Sequence, residues 1–232
     1  MSGKTRPRLE GRVFVIGDVH AEDETLESGI AFARAEGASA ILCVGDIADG
    51  RGDLERTCKL LDEAGVICVA GNHDEWALAG QMRQLEGAHA LAAGSRRFLE
   101  RLPAWRIFDT PQGGLMLAHA AADDNMLNLF PDTPDWAFAS AFDRFAARHP
   151  GVEVKLHVSG HTHRVMVREL DAPGLPRWLI TAGTLRAKPE RPPRLVEIDL
   201  DEACVLVYER TEDGWEPTQR VPLAALETPI FC

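Results

Sequence analysis

VFVIGDVHAEDETLESGIAFARAEGASAILCVGDIAD, residues 13–49, decides the architecture. VFVIG (13–17) is a short apolar run rich in β-branched and aromatic residues, the composition of a buried strand. From Glu22 to about Arg34 the period changes: Leu26, Ile30 and Ala33 fall at i, i+4 and i+7, one stripe of a helix. Acids at 22 to 24 suit the positive end of that helix, and Gly37 suits its termination. AILCVG (40–45) repeats the strand, Leu54, Cys58 and Leu61 mark a second helix closed by Gly65, and VICVAG (66–71) is a third strand. Strand, loop and helix in repetition predict a parallel sheet.

Beyond it, residues 75–101 are rich in Ala, Gln and Leu and read as a helical insertion broken at Gly80, Gly87 and Gly94. Gly113-Gly114 reads as the turn of a hairpin spanning 104–120. A long acidic loop, 121–132, is a candidate rim for a binding site or a plain surface excursion. It leads to a helix with Thr133 as N-cap, Pro134 in its first turn, the stripe Phe138, Phe142, Phe145, and Pro150-Gly151 beyond. VEVKLHVSG (152–160), VMVREL, RWLITA, RLVEID and ACVLVYER follow as strands without helices between them, and Asp213-Gly214 signals a last hairpin. This strand-rich half, 152–220, predicts a second sheet stacked on the first. The fold class is therefore α/β, two stacked mixed sheets in one domain over 1–232.

Composition narrows the function. With 45% hydrophobic residues the chain can bury a large core, and its formal charge of −11 argues against a broad face for nucleic acid. No run of five Lys or Arg offers a track for a long polymer. Cys43, Cys58, Cys68, Cys204 and Cys232 show no CxxC spacing and read as reduced thiols of a cytoplasmic protein. The first dozen residues lack an apolar signal region, and no stretch of about 18 apolar residues suggests a membrane span.

Five of the eight histidines lie in short motifs that end predicted strands: GDVH (17–20), GDIAD (45–49), GNHD (71–74), LAHA (117–120) and GHTH (160–163). Ligands of α/β sheets gather at the carboxyl ends of strands, where adjacent loops converge. Imidazoles, carboxylates and one amide oxygen brought together there form the donor set for a pair of divalent metals. The cysteine pairs of structural zinc sites and the acidic twelve-residue loop of EF-hands are absent. Any one motif alone is ordinarily a turn or capping feature. His149 at a helix end, His89 in an Ala/Gly-rich segment, and His157 on the polar parity of its strand with Glu153 and Lys155 read as non-ligands. Trp76 reads either as a core residue or as a stacking surface for an aromatic leaving group or base.

In order, D-x-H, G-D-x-x-D, G-N-H-[DE], a later His and G-H-x-H resemble the calcineurin-like metallophosphoesterases, and ITAGT (180–184) resembles that family's loop after the last metal motif. The resemblance implies a two-sheet sandwich flanked by helices. It places Asp18, His20 and His163 on a first metal, Asn72, His119 and His161 on a second, and Asp46 between them. His73 resembles the histidine that protonates the leaving oxygen, with Asp49 as its orienting carboxylate and Asp74 as the alternative partner. His119 departs from the pattern, being followed by Ala120 where the family usually has Gly.

The implied chemistry is hydrolysis of a small phosphorylated substrate by a hydroxide bridging two divalent ions about 3.5–4 Å apart. Mn²⁺ is the first expectation for those ions, with Fe, Zn or Ni as alternatives. Asp18 and Asp46 offset only half of the metal charge, which leaves a local anion site on an acidic chain. In the Ser/Thr protein phosphatases an Arg follows the second Asp and another precedes GNH, gripping a dianionic monoester. Here Gly50 and Ala70 stand at those positions, and Arg51 is displaced by one. Fewer fixed cations favour a phosphodiester. The alternatives are a phosphomonoesterase using Arg51 or Arg186, and a non-catalytic binding scaffold on the same fold, which would show eroded ligands.

Overall fold

A computed structural model describes residues 6–82, 91–170, 173–188 and 191–223. The expectation at Gly87 and His89, the last cysteine, Cys232, and the side chain of Phe138 lie outside the described residues.

The opening pattern folds as read. β1 (Arg12–Ile16), β2 (Ala40–Cys43) and β3 (Ile67–Cys68) are parallel neighbours, with Val15 opposite Leu42 and Cys43 opposite Cys68. The helices between them are α1 (Asp23–Ala35) and α2 (Leu54–Glu63). Asp53 caps α2 by accepting the Arg56 N–H at 3.0 Å. On the other side of β1 lie β9 (Arg194–Asp199), β10 (Cys204–Arg210) and β11 (Trp215–Pro222), all antiparallel, completing a six-stranded mixed sheet.

A second, five-stranded sheet has the order β4 (Trp105–Thr110), β5 (Gly113–Ala118), β6 (Leu156–Ser159), β8 (Trp178–Ala182), β7 (Val165–Glu169). Within it β5, β6 and β8 run parallel to one another. Alternation along the strands builds the layers. Val13, Val15, Leu42 and Val44 meet Leu115, Leu117, Val158 and Ile180 between the sheets. Phe14, Ile16 and Cys43 face the other way, onto Leu26 and Ile30 of α1 and Leu61 of α2. Met116 and Leu179 take Phe142 and Phe145 of α5 (Asp135–Arg148) on the far side. Each fully buried side chain of this kind contributes about 1.5–3 kcal/mol.

Four expectations change in detail. Among the described residues of 75–101 lie the end of α3 (Asn72–Leu78) and all of α4 (Ala93–Glu100), with Gly94 inside α4 rather than breaking a helix. Pro134, not Thr133, occupies the N-cap of α5, because the Thr133 hydroxyl turns back to accept the Phe130 N–H at 3.0 Å. The hairpin turns at Pro111-Gln112, with Gly113 already in β5 at φ 102°. β6 starts at Leu156 rather than 152, and its His157 is fully buried, packed edge-on to Phe142. The free thiols of Cys43, Cys58, Cys68 and Cys204 are buried, as small hydrophobes are. Among the described residues no helix is long and apolar enough to cross a membrane.

Candidate metal centre

The carboxyl ends of β1, β2 and β3 in one sheet and of β5, β6 and β8 in the other open onto a single cluster. Cross-sheet hydrogen bonds hold those ends together: Asp18 N–H donates to the Gly183 carbonyl at 3.1 Å, and the His119 ring meets the Val44 carbonyl at 2.9 Å. The Thr184 hydroxyl donates to the Asp18 carbonyl at 2.8 Å, which sets the ITAGT segment directly against the first motif.

All seven expected ligands converge. Asp18, His20, Asp46, Asn72 and His119 are buried, and His161 and His163 are half-buried. The Nε2 atoms of His20 and His163 are 2.9 Å apart, and His119 Nε2 is 2.9 Å from Asn72 Oδ1 and 3.1 Å from His161 Nδ1. Asp46 Oδ2 lies between these groups, 3.4 Å from His119 Nε2 and 3.9 Å from His20 Nε2. Donors bound at about 2.1 Å to one ion with near-tetrahedral or octahedral angles stand about 3.0–3.4 Å apart, so these separations suit a coordination shell. Asp18 Oδ1 accepts the His161 N–H at 2.9 Å, while its Oδ2 is buried with no hydrogen-bond partner. A buried orphan carboxylate oxygen aimed among imidazoles fits a cation.

Taken by themselves, these buried groups shift one another. Burial pushes Asp18 up to about 7 despite His119 nearby. Burial opposes a charged His119, yet Asp46 and Asp18 outweigh it and push its pKa up to about 9. Asp46 is buried too, but His119, His20 and His73 pull it well below the usual carboxylate range. Burial, then the charge of His20, takes His163 down to about 3, the neutral form a metal requires.

The backbone is bent to aim these groups. His20, Asp46, His161 and His163 all have positive φ, between 47° and 68°, as does Asp49 at 70°. Such strain in non-glycine residues persists only where surrounding structure over-determines it. Asp74 supplies part of that restraint: its fully buried carboxylate accepts N–H bonds from Ile47 at 2.8 Å, Ala48 at 2.9 Å and Gly71 at 2.9 Å. It therefore ties the GDIAD loop to the GNHD turn and leaves the other carboxylate to face His73. Asp49 Oδ2 sits 2.5 Å from His73 Nδ1. His73 Nε2 is 3.9 Å from Asp46 Oδ2, close enough that His20, Asp46 and His73 form one of three groupings able to hold an ion. The other two are Asp46, His119, His161 and Asp18, Asp46, His163.

Glycines set how closely the loops interlock. A Cβ on Gly50 would stand 1.4 Å from the His20 carbonyl oxygen, and one on Gly71 would stand 2.2 Å from Asp46 Oδ1. No side chain fits at position 50. Arg51, the displaced cation, is exposed; Arg186 and, more weakly, Arg51 act on Glu22, and the charge of Arg186 also bears on His20 and His163. Of the other histidines, His149 packs on Trp105 and Phe145 at the end of α5, and His157 lies apart from the three groupings.

Sequence reading missed one support and anticipated the rim beside it. His157 Nε2 accepts the Ala122 N–H at 3.1 Å, fixing the start of the 121–132 loop just past His119. That loop also borders the site, since the Met126 carbonyl meets the His161 ring. Odd-even parity hid His157, because the second sheet is covered on both faces. Trp76, read either as a core residue or as a stacking surface, is half-buried with its ring against that of His73.

The sequence model of the calcineurin-like phosphoesterases matches residues 11–165, well over half of the chain, and the chain belongs to that family. Its members are metal-dependent phosphoesterases, and the groupings above could hold such metals. Solved structures share the fold. A metallophosphoesterase from Sphaerobacter thermophilus is 19% identical with a TM-score of 0.59, the match covering 91% of this chain and 89% of that one. The phosphoesterase Yfce from E. coli is 16% identical with a TM-score of 0.59, over 92% of this chain and 100% of that one. A Pyrococcus horikoshii protein is 12% identical with a TM-score of 0.64, over 85% and 87%. No protein of curated description matches the chain.

Proposed function

We propose that this chain hydrolyses small phosphodiesters or nucleotides at a two-metal centre held by Asp18, His20, Asp46, Asn72, His119, His161 and His163. The observation that carries the reading is the convergence of those seven donors around Asp46 with the His73–Asp49 pair beside them. Two divalent ions, when bound there, would supply an activated water and positive charge against the phosphoryl oxygens. Everything else falls to the chain. Asp49 accepts from His73 Nδ1, which leaves Nε2 to carry the proton that the departing oxygen takes up. Val44 and Ala48 carbonyls orient the rings of His119 and His20, which fixes the nitrogen each presents.

The clash at Gly50 supports the diester over the monoester, because it excludes a cation at the position next to Asp49. A monoanionic diester needs less fixed positive charge than a dianionic monoester. One observation favours the second reading, a phosphomonoesterase: Arg186 lies near enough for its charge to act on His20 and His163.

Turnover of bis(p-nitrophenyl) phosphate against p-nitrophenyl phosphate, with Mn²⁺ and with chelator, tests the proposal. A metal-dependent diester preference is the expected result. A monoester preference abolished by Arg186→Ala would install the second reading.

A further inference from the structure

We infer that the edge of β3 carries a second ligand site, a pocket for a small apolar carboxylate that is separate from the metal cluster. β3 and β4 are end strands of their sheets, and residues of both line a pocket of about 340 Å³. That size lies at the low end of the range for small-molecule sites. None of the residues lining it belongs to the five histidine motifs. Val66, Phe98, Leu102 and Phe108 give it an apolar wall, its charged groups are Arg101 and Arg106 alone, and no carboxylate of the described residues lines it. On a chain of formal charge −11, an apolar pocket charged only by arginine suits an anion with a hydrophobic body.

The backbone points to the same ligand. Val69 donates its N–H to the Cys43 carbonyl at 3.1 Å, and peptide groups alternate in direction along a strand, so Cys68 turns its own N–H and carbonyl away from β2, toward the open edge. Cys68 is buried, lines the pocket, and its N–H meets no acceptor among the described residues. Buried backbone donors left unpaired are rare, because nothing offsets their lost hydration. Beside it, Arg106 Nε makes a long bond of 3.5 Å to the Cys68 carbonyl, and the rest of that guanidinium has no carboxylate partner among the described residues. Arg101 differs, being paired with Asp62 and lying over the Phe98 ring at 4.7 Å. An extended residue points its N–H and C=O the same way, so the orphan donor and the unused guanidinium nitrogens flank one position. A carboxylate there accepts from both, one oxygen from the backbone and the other from Arg106, while its apolar body lies on Phe98 and Phe108. A phosphate dianion suits the pocket less, since the apolar wall cannot replace its hydration.

The test titrates the Mn²⁺-loaded full chain with 4-phenylbutyrate by calorimetry. Binding with a Kd of about 1 mM or tighter is expected. Arg106→Gln, at an exposed position, weakens it by about tenfold or more, and 4-phenylbutyramide, which keeps the ring and loses the charge, binds the wild type correspondingly worse. In protein loaded with diamagnetic Zn²⁺, the Cys68 amide is among the backbone NMR signals that 4-phenylbutyrate shifts most. Binding that Arg106→Gln leaves unchanged places the acid elsewhere, on a metal ion or another surface, and overturns the inference. Equal affinities for acid and amide, or an unmoved Cys68 amide, overturn it as well. So does the absence of binding at about 10 mM. Since none of these readouts measures hydrolysis, failure here leaves the phosphoesterase proposal standing, and failure of that proposal leaves this site standing.

Discussion

Asp46 combines a strained backbone, at φ 47°, with a carboxylate whose two oxygens have different tasks. Oδ1 accepts the His73 N–H at 2.9 Å and so fixes the start of α3. Oδ2 is left to face the imidazoles. Asp46→Asn keeps Oδ1 but replaces the inward oxygen's charge, so turnover should fall by more than the roughly 10–100-fold that loss of an outer-shell partner costs. Steady-state kinetics together with metal content after dialysis checks this, and wild-type metal content with wild-type rates would remove Asp46 from the centre. His73→Asn should retain metal, barely slow esters with activated leaving groups, and slow poor leaving groups by about 10²–10⁴-fold. Uniform loss across leaving groups would sink its acid role. Loss of metal would make it a ligand, as its grouping with His20 and Asp46 permits.

At the scale of elements, the site depends on loops held by neighbours that are themselves buried. His157 of β6 is one: its Nε2 accepts the Ala122 N–H, so the ring is held neutral, and burial takes its pKa down from 6.5 to about 3. Its folded pKa lies below its unfolded one, so the unfolded chain binds the extra proton first as pH falls. Full stability is therefore present above about pH 6.5 and is lost toward pH 3, with a slope from this one group of at most about 1.4 kcal/mol per pH unit. Denaturant titrations of metal-free protein at pH 7 and pH 5 should show a smaller loss for His157→Gln than for wild type. Identical pH dependence in the two would mean that His157 already titrates normally when folded.

The same elements show what the sequence made readable. VFVIG and AILCVG are continuous apolar runs because β1 and β2 are covered on both faces, and each delivers its motif at the expected end. Asp18, His20, Asp46 and Asn72 could be placed at strand ends because each motif directly follows an apolar run. The partners of Asp74 could not be read, since its three N–H donors come from two loops that only the fold joins. Thr133 illustrates a local signal overridden by a local competitor, the Phe130 N–H. His157 stands outside the groupings as expected, but its burial was not legible, because strand parity separates the faces of a sheet without telling which of them meets solvent.

For the whole molecule, three strand ends from each of the two stacked sheets converge on the cluster, so the cluster also bridges the halves of the sandwich. Ions that bind the folded state alone should stabilise the whole chain. Mn²⁺ at about a hundred times its Kd should add about 2.7 kcal/mol per site, visible as a concentration-dependent rise in Tm that chelator reverses. A Tm indifferent to Mn²⁺, Fe²⁺, Zn²⁺ and Ni²⁺ would contradict a metal centre at this junction.

The close approach of Gly50 to the His20 carbonyl limits how this chain could be converted, by selection or by design, into an enzyme that grips dianionic phosphates. An arginine at position 50 would collide with the backbone of the first metal motif before its guanidinium reached any substrate. That route requires the 17–23 and 45–52 loops to be rebuilt together, so single substitutions along it pass through damaged metal sites. Arg186, on a different loop, already brings a cation toward the cluster without that collision.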